Sequence, residues 1–252
     1  MDLLTFKILC ALALFVAAIV AGLIPLVVGD RHPRALCLFE AGASGVFLGA
    51  ALFHMLPAAQ LSFKALNLAS YPYAILFCVI GFLFLLITER LVNARSDKRQ
   101  AHRLTALLLM VMLSFHSLIE GAALGINSLF SNTMVIFIAI MAHKSTASFA
   151  LGVTIVRGYT SKFRSIAMLT GFSLMSPIGV ILAAVVSGFL QSGTGNLAEA
   201  VFNAFAAGSF LYIGTMNVID NHFHPKPLID RCAELCALII GIGSMGIVAI
   251  WV

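Results

Sequence analysis

The chain has 252 residues, of which 61% are hydrophobic and only 10% charged, with a formal net charge of +5. A soluble domain carries roughly a quarter charged residues to cover its surface. This composition, with a mean hydropathy of +1.06, therefore excludes a water-soluble globule and makes lipid the solvent for most of the outside.

A bilayer core takes roughly 20 apolar helical residues. Stretches of that kind run at about 3–28, 35–59, 70–91, 104–126, 133–156, 165–190, 199–219 and 232–252. Helices are expected, because an open strand in lipid would leave backbone polar groups unpaired. The predicted fold class is thus all-α, a polytopic membrane protein of eight transmembrane helices joined by short turns, with residues 1–252 forming a single transmembrane domain. The first span is read as a helix and not as a signal peptide: Asp2 comes first, Lys7 is its only early cation and its apolar run is too long.

The second span contains Gly45-Val46-Phe47-Leu48 and, further on, His54. The third span ends at a basic connection from Arg90 to Arg103, in which His102 is the single histidine. The fourth span holds His116 and Glu120, four residues apart and therefore on one helix face. The fifth has His143 and Lys144 near its middle. The sixth carries Pro177, which with Pro57 and the glycines offers places for bending. The seventh contains Gly208-Ser209-Phe210-Leu211 and Asn217, and His222-Phe223-His224 follows in the last connection. Cys232 and Cys236 share a face of the eighth; with Cys10, Cys37 and Cys78 they show no metal-knuckle spacing and read as packing residues.

Loop charge orients the chain. Of the 15 Lys and Arg, twelve fall on one side, in the connections around residues 31–34, 90–103, 157–164 and 226–231. Lys7 and Lys64 lie on the other side, and Lys144 is inside the fifth span. The positive-inside rule then puts the basic loops in the cytoplasm and both termini outside. Those loops account for the net charge without a nucleic-acid partner, and their natural neighbours are anionic lipid headgroups.

An ionisable group at mid-membrane costs a few kcal/mol and needs a reason. His116 and Glu120 could simply bond to each other and fasten two helices. A metal site is favoured by three features: imidazole with carboxylate suits zinc and similar ions, His143 provides a second imidazole at comparable depth, and Gly121, Ala122, Ala123, Gly125, Ser145, Ala147 and Ser148 let the two helices approach. No His-Glu-x-x-His motif is present, and no nucleophile–base pair is recognisable, so an enzyme is not expected.

The motifs of the second and seventh spans match at an offset of 163, which sets His54 opposite Asn217. By the loop charges these two spans cross in opposite directions. This is the pattern of an inverted repeat relating spans one to three with six to eight, a 3+2+3 arrangement with the fourth and fifth at the centre. His54 and Asn217 then flank the path, or else serve as interhelical hydrogen bonds. Alternating access would come from the flanking triplets rocking against the central pair.

At these residues the sequence resembles the ZIP family of divalent metal transporters. The resemblance is carried by His116-Ser117-x-x-Glu120-Gly121-x-Ala123-Leu124-Gly125 and His143-Lys144-x-x-x-x-Phe149-Ala150-Leu151-Gly152. Phe53-His54-Met55-Leu56-Pro57 and Ala207-Gly208-Ser209-Phe210-Leu211-Tyr212 support it. It implies an eight-helix transporter with both termini outside and metal uptake toward the cytoplasm, in a plasma or bacterial inner membrane. The family's transport site maps onto His116, Glu120 and His143. No prosthetic group is implied; the metal is the substrate, zinc first, with iron, manganese and cadmium compatible with the same ligands. Membrane lipids, and a homodimer as one form of assembly, complete the expected partners.

The chain departs from the family pattern in places. Where some members hold a second, bridged metal, it has Ser117 and Lys144, and Ala147 stands where members can have Glu. The Lys144 ammonium is expected to take the second metal's place. Asn217 stands where many members have Glu, and the short loop after the third span lacks a histidine cluster. The rival function is a proton-linked carrier or channel for a non-metal solute, with His116–Glu120 as a proton relay.

Overall fold

The computed structural model describes residues 2–28, 33–68, 70–95, 98–126, 129–158, 161–186, 194–222 and 227–250. Its helices are α1 (Leu3–Val28), α2 (Pro33–Gly49), α3 (Leu56–Ala65), α4 (Tyr73–Arg95), α5 (Lys98–Ile126), α6 (Phe130–Gly158), α7 (Lys162–Val186), α8 (Thr194–His222) and α9 (Leu228–Val248). No strand occurs among the described residues, so the protein is all-α and polytopic as its composition requires.

Seven stretches of these helices are long and apolar enough to cross a bilayer, among the described residues. The region expected as the seventh span lies on α8, where the apolar portion Ala200–Met216 is shorter. The second span, Cys37–Ala65, is one continuous helix in which α2 passes into α3 through a wide π-helical segment, Ala50–Met55. Pro57 sits in the first turn of α3. It has no N–H to donate to the preceding turn and its ring crowds the carbonyl four residues back. The π-helical widening just before it is one of the distortions by which a helix bends.

The chain divides into two compact units. The first comprises Met1–Val27, Ser96–Gly193 and Trp251–Val252, and thus α1, α5, α6 and α7. Its closest pairing is α5 on α7. A Cβ at Gly121 would lie 3.0 Å from the Ser176 Cα and closer still to the Ser176 carbonyl oxygen, and one at Gly125 would lie 2.6 Å from the Val180 oxygen. From the other side, Gly179 abuts the backbone of Leu118 and Ala122. Lipid is as apolar as a leucine core, so backbone approach through small residues, and not hydrophobicity, decides which faces meet. The pairing of α1 with α6 follows the same rule. Gly152 faces the Gly22 carbonyl, and the Ser148 hydroxyl donates to the Ala18 carbonyl at 2.5 Å. Phe6, Cys10, Leu14, Leu124, Ile140 and Val180 form the apolar core between these helices. Lys7, 8% exposed, donates from its ammonium to the Gly125 carbonyl at 2.5 Å. That carbonyl belongs to the last turn of α5, whose oxygens have no helical partner and carry the negative end of the helix dipole.

The second unit, Val28–Arg95 with Thr194–Ile250, holds α2, α3, α4, α8 and α9. Here α2 lies on α9 and α4 lies on α8, again through glycines. Gly45 abuts the Leu238 carbonyl and Gly241 the Gly42 carbonyl; Gly208 abuts the Cys78 carbonyl and Gly81 the Phe205 carbonyl. The two sets of contacts are equivalent. Residues 42 and 45 correspond to 205 and 208 at an offset of 163, and residues 78 and 81 to 238 and 241 at an offset of 160. The sequence match between the second and seventh spans thus has a counterpart in backbone packing. Ala59, Phe63, Ala74, Ala200 and Ala204 close the core where α3 meets α4 and α8, with Phe63 and Phe77 stacked at 6.0 Å. The Tyr212 hydroxyl donates to the Glu89 carboxylate.

Candidate metal site

The site lies in the first unit, on α5 and α6. His116 is midway along the membrane-length stretch Ala106–Ile126, and His143 is near the middle of Thr133–Val156. One helical turn carries His116 to Glu120 on the same face of α5. Both imidazoles aim at one carboxylate oxygen: His116 Nε2 is 2.9 Å and His143 Nε2 2.5 Å from Glu120 Oε1. The two rings are 6.0 Å apart between centroids. All three side chains are buried, with 4% of His116, 9% of Glu120 and 2% of His143 exposed.

This arrangement suits a cation. Ligand atoms of the three side chains all lie within 4.8 Å of one another. A tetrahedral zinc ion with bonds of about 2.0–2.1 Å holds its ligand atoms roughly 3.3 Å apart, so each Nε2–Oε1 separation would have to open by less than about 1 Å to admit it. With both Nε2 atoms unprotonated, two nitrogen lone pairs and one carboxylate oxygen would face an ion placed between them. Three protein ligands leave a fourth position for water, and an incompletely filled shell is what a site that must release its ion requires.

Beside this cluster sits a second polar arrangement. Lys144, 1% exposed, donates from its ammonium to Ser117 Oγ at 2.9 Å and lies over the Phe172 ring, 4.5 Å from the centroid. The Ser176 hydroxyl donates to the Ser117 carbonyl at 3.1 Å. Ser117 and Lys144, the two positions singled out as departures from a two-metal pattern, are therefore bonded to each other. Phe172 and Ser176, both on α7, were not among the sequence candidates. The signal was present in Ser173 and Ser176, two buried serines three apart beside Pro177 in an apolar helix.

The remaining candidates fall elsewhere. His54 is half-buried in the π-helical segment of the second unit. Asn217 lies on α8, but its side chain is outside the described residues, as are those of His102 and His222. His224 also lies outside them. Cys232 and Cys236, read as packing residues, are both exposed.

Membrane-length helices that bury two imidazoles and a carboxylate around one point have the donor set of an ion pathway through a helical membrane protein. The family described as ZIP zinc transporter matches residues 4–102 and 92–249, and the chain belongs to it. It is similar to mouse zinc transporter ZIP2, with 28% identity over 99% of this chain and 99% of that protein. It is likewise similar to zinc transporter 11 of Arabidopsis thaliana, with 27% identity over 99% of this chain and 86% of the relative. Protein zntD of Dictyostelium discoideum is 36% identical over a shorter region, 61% of this chain and 22% of that protein. The protein is thus a transporter of divalent metal and not an enzyme.

Proposed function

We propose that the protein carries zinc into the cytoplasm through a site made by His116, Glu120 and His143. The observation that carries this reading is the convergence of both imidazoles on one Glu120 oxygen, buried midway along two membrane-length helices. The names of its relatives as zinc transporters support zinc as the preferred ion. The inward direction and the external termini rest on the loop charges, twelve of 15 cations being on one side.

The site takes a single ion. The Lys144 ammonium, held by Ser117 and Phe172, occupies the space in which a second cation would have to sit, and it partly balances Glu120. An inverted repeat underlies the architecture, supported by the matching contacts of residues 42 and 45 with 238 and 241 and of 205 and 208 with 78 and 81. The ligand-bearing helices α5 and α6 pack with α1 and α7 and not as an isolated central pair. That packing supports a site built into one four-helix unit. His54 and Asn217 act as polar residues along the path, outside the ligand set.

Radioactive zinc uptake into cells or proteoliposomes, with the wild type and His143→Ala at matched membrane expression, tests this reading. Saturable uptake that is lost in the variant is the expected result. A wild type that takes up neither zinc nor iron nor manganese would sink it and favour a proton relay for another solute.

A further inference from the structure

The last helix carries two thiols that neither the packing nor the metal site uses. Cys232 and Cys236 stand four residues apart near the start of α9 and are both exposed, whereas Cys10 and Cys78 are 3% and 5% exposed. One face of α9 is occupied by its packing on α2, through Leu238 and Gly241. At 100° per residue, Cys232, Cys236, Ile239, Ile240, Gly243 and Ile247 share the opposite face, and every one of them is exposed. In a chain solvated by lipid, such a stripe is bathed by acyl chains.

The depth of the thiols is equally specific. With a rise of about 1.5 Å per residue, Cys232 and Cys236 lie roughly 6 and 12 Å along the helix from Leu228, its first residue. The exposed Arg231 immediately precedes Cys232, and Asp230 precedes that. The thiols therefore sit where the charged end of α9 gives way to its apolar stripe. Beyond them along the same stripe is Gly243, at which a Cβ would meet nothing within 4 Å. The surface at Gly243 is thus open, flanked by the exposed Ile239, Ile240 and Ile247.

We propose that Cys232 and Cys236 are sites of S-acylation by long-chain fatty acyl groups. Juxtamembrane cysteines are acceptors of that modification. The co-reactant is an acyl-coenzyme A thioester. The thiol sulfur attacks the thioester carbonyl, a new sulfur–carbonyl bond forms, the bond to the coenzyme A sulfur breaks, and the proton of the thiol ends on the departing coenzyme A. No oxidation or reduction is involved. The product chain lies along the stripe and fastens the start of α9 to one leaflet. The proposal rests on the orientation drawn from loop charge, which puts this end of α9 in the cytoplasm, where acyl-coenzyme A is found.

The test uses the full chain expressed in eukaryotic cells that contain S-acyltransferases. Free thiols in the membranes are blocked with N-ethylmaleimide, thioesters are cleaved with neutral hydroxylamine, and the released thiols are tagged with a polyethylene-glycol maleimide. The expected result is a hydroxylamine-dependent gain of one or two tags, reduced by Cys232→Ser or Cys236→Ser and abolished by the double variant, while zinc uptake persists. The absence of a hydroxylamine-dependent tag in the wild type overturns the proposal. So does a tag that survives in the double variant, or complete labelling of both thiols before hydroxylamine. The orientation is read separately from an N-terminal epitope tag: staining of intact cells supports it, and staining only after permeabilisation overturns it.

Discussion

Gly121→Ala is the sharpest test of how the site is held. The added Cβ would lie 3.0 Å from the Ser176 Cα and nearer to the carbonyl oxygen, which is backbone and cannot rotate away. Ordinary carbon–oxygen contact needs about 3.4 Å, so α5 must retreat from α7 by roughly 1 Å, at the 1–3 kcal/mol typical of overpacking. For a chain of this size that corresponds to a fall in Tm of roughly 2–12 °C. The functional loss should be larger than the stability loss implies. Glu120 is the neighbouring residue, and a displacement of about 1 Å at a reacting or binding centre can cost on the order of 100-fold. The assay is thermal unfolding of purified protein together with zinc uptake at matched expression. Gly243→Ala is the control, since its added carbon meets nothing within 4 Å. A Gly121→Ala protein with wild-type Tm and wild-type uptake would refute the packing argument.

Three further outcomes follow from the same geometry. Lys144→Glu replaces the ammonium that bonds Ser117 with a carboxylate, and metal analysis of the purified protein should show bound zinc rising from about one toward two per chain; an unchanged content would remove Lys144 from its assigned place. Acidification should weaken zinc binding and slow uptake, because protons and metal compete for the same imidazole and carboxylate lone pairs and binding releases protons; pH-jump uptake in proteoliposomes that showed faster transport at low pH would contradict this. Lys7→Met removes the buried ammonium from the Gly125 carbonyl at the end of α5 and should lower stability by about 1.5–3 kcal/mol, the range for hydrogen bonds to charged groups, with partial rescue by Lys7→Arg; thermal unfolding of the three proteins decides it.

How much of this was legible beforehand depends on which force wrote the signal. The cost of placing charge in lipid made His116, Glu120, His143 and Lys144 stand out from the sequence, and helical spacing put the first two on one face. The faces of the helices were not legible in the same way. In a soluble protein an apolar stripe marks the core, but Phe163 and Ile229 are 82% and 81% exposed here because lipid accepts them as readily as the interior does. Small residues carry the packing information instead, as at Gly121, Gly179, Gly45 and Gly208. Their partners are carbonyls on other helices that no local pattern names. For this reason the contribution of α7 to the site, through Phe172 and Ser176, and the exposure of Cys232 and Cys236 emerged only with the fold. The π-helical turn before Pro57 was hinted at by the proline, but its width and extent depend on the packing around it.

X-ray absorption at the zinc edge, on the purified zinc-loaded protein and on its His143→Ala variant, tests the ligand set most directly. The account predicts nitrogen and oxygen neighbours at about 2.0–2.1 Å, two imidazoles in the wild type and one fewer in the variant. Sulfur in the first shell, or an imidazole count unchanged by the substitution, would contradict the assignment of His116, Glu120 and His143 as the residues that hold the ion.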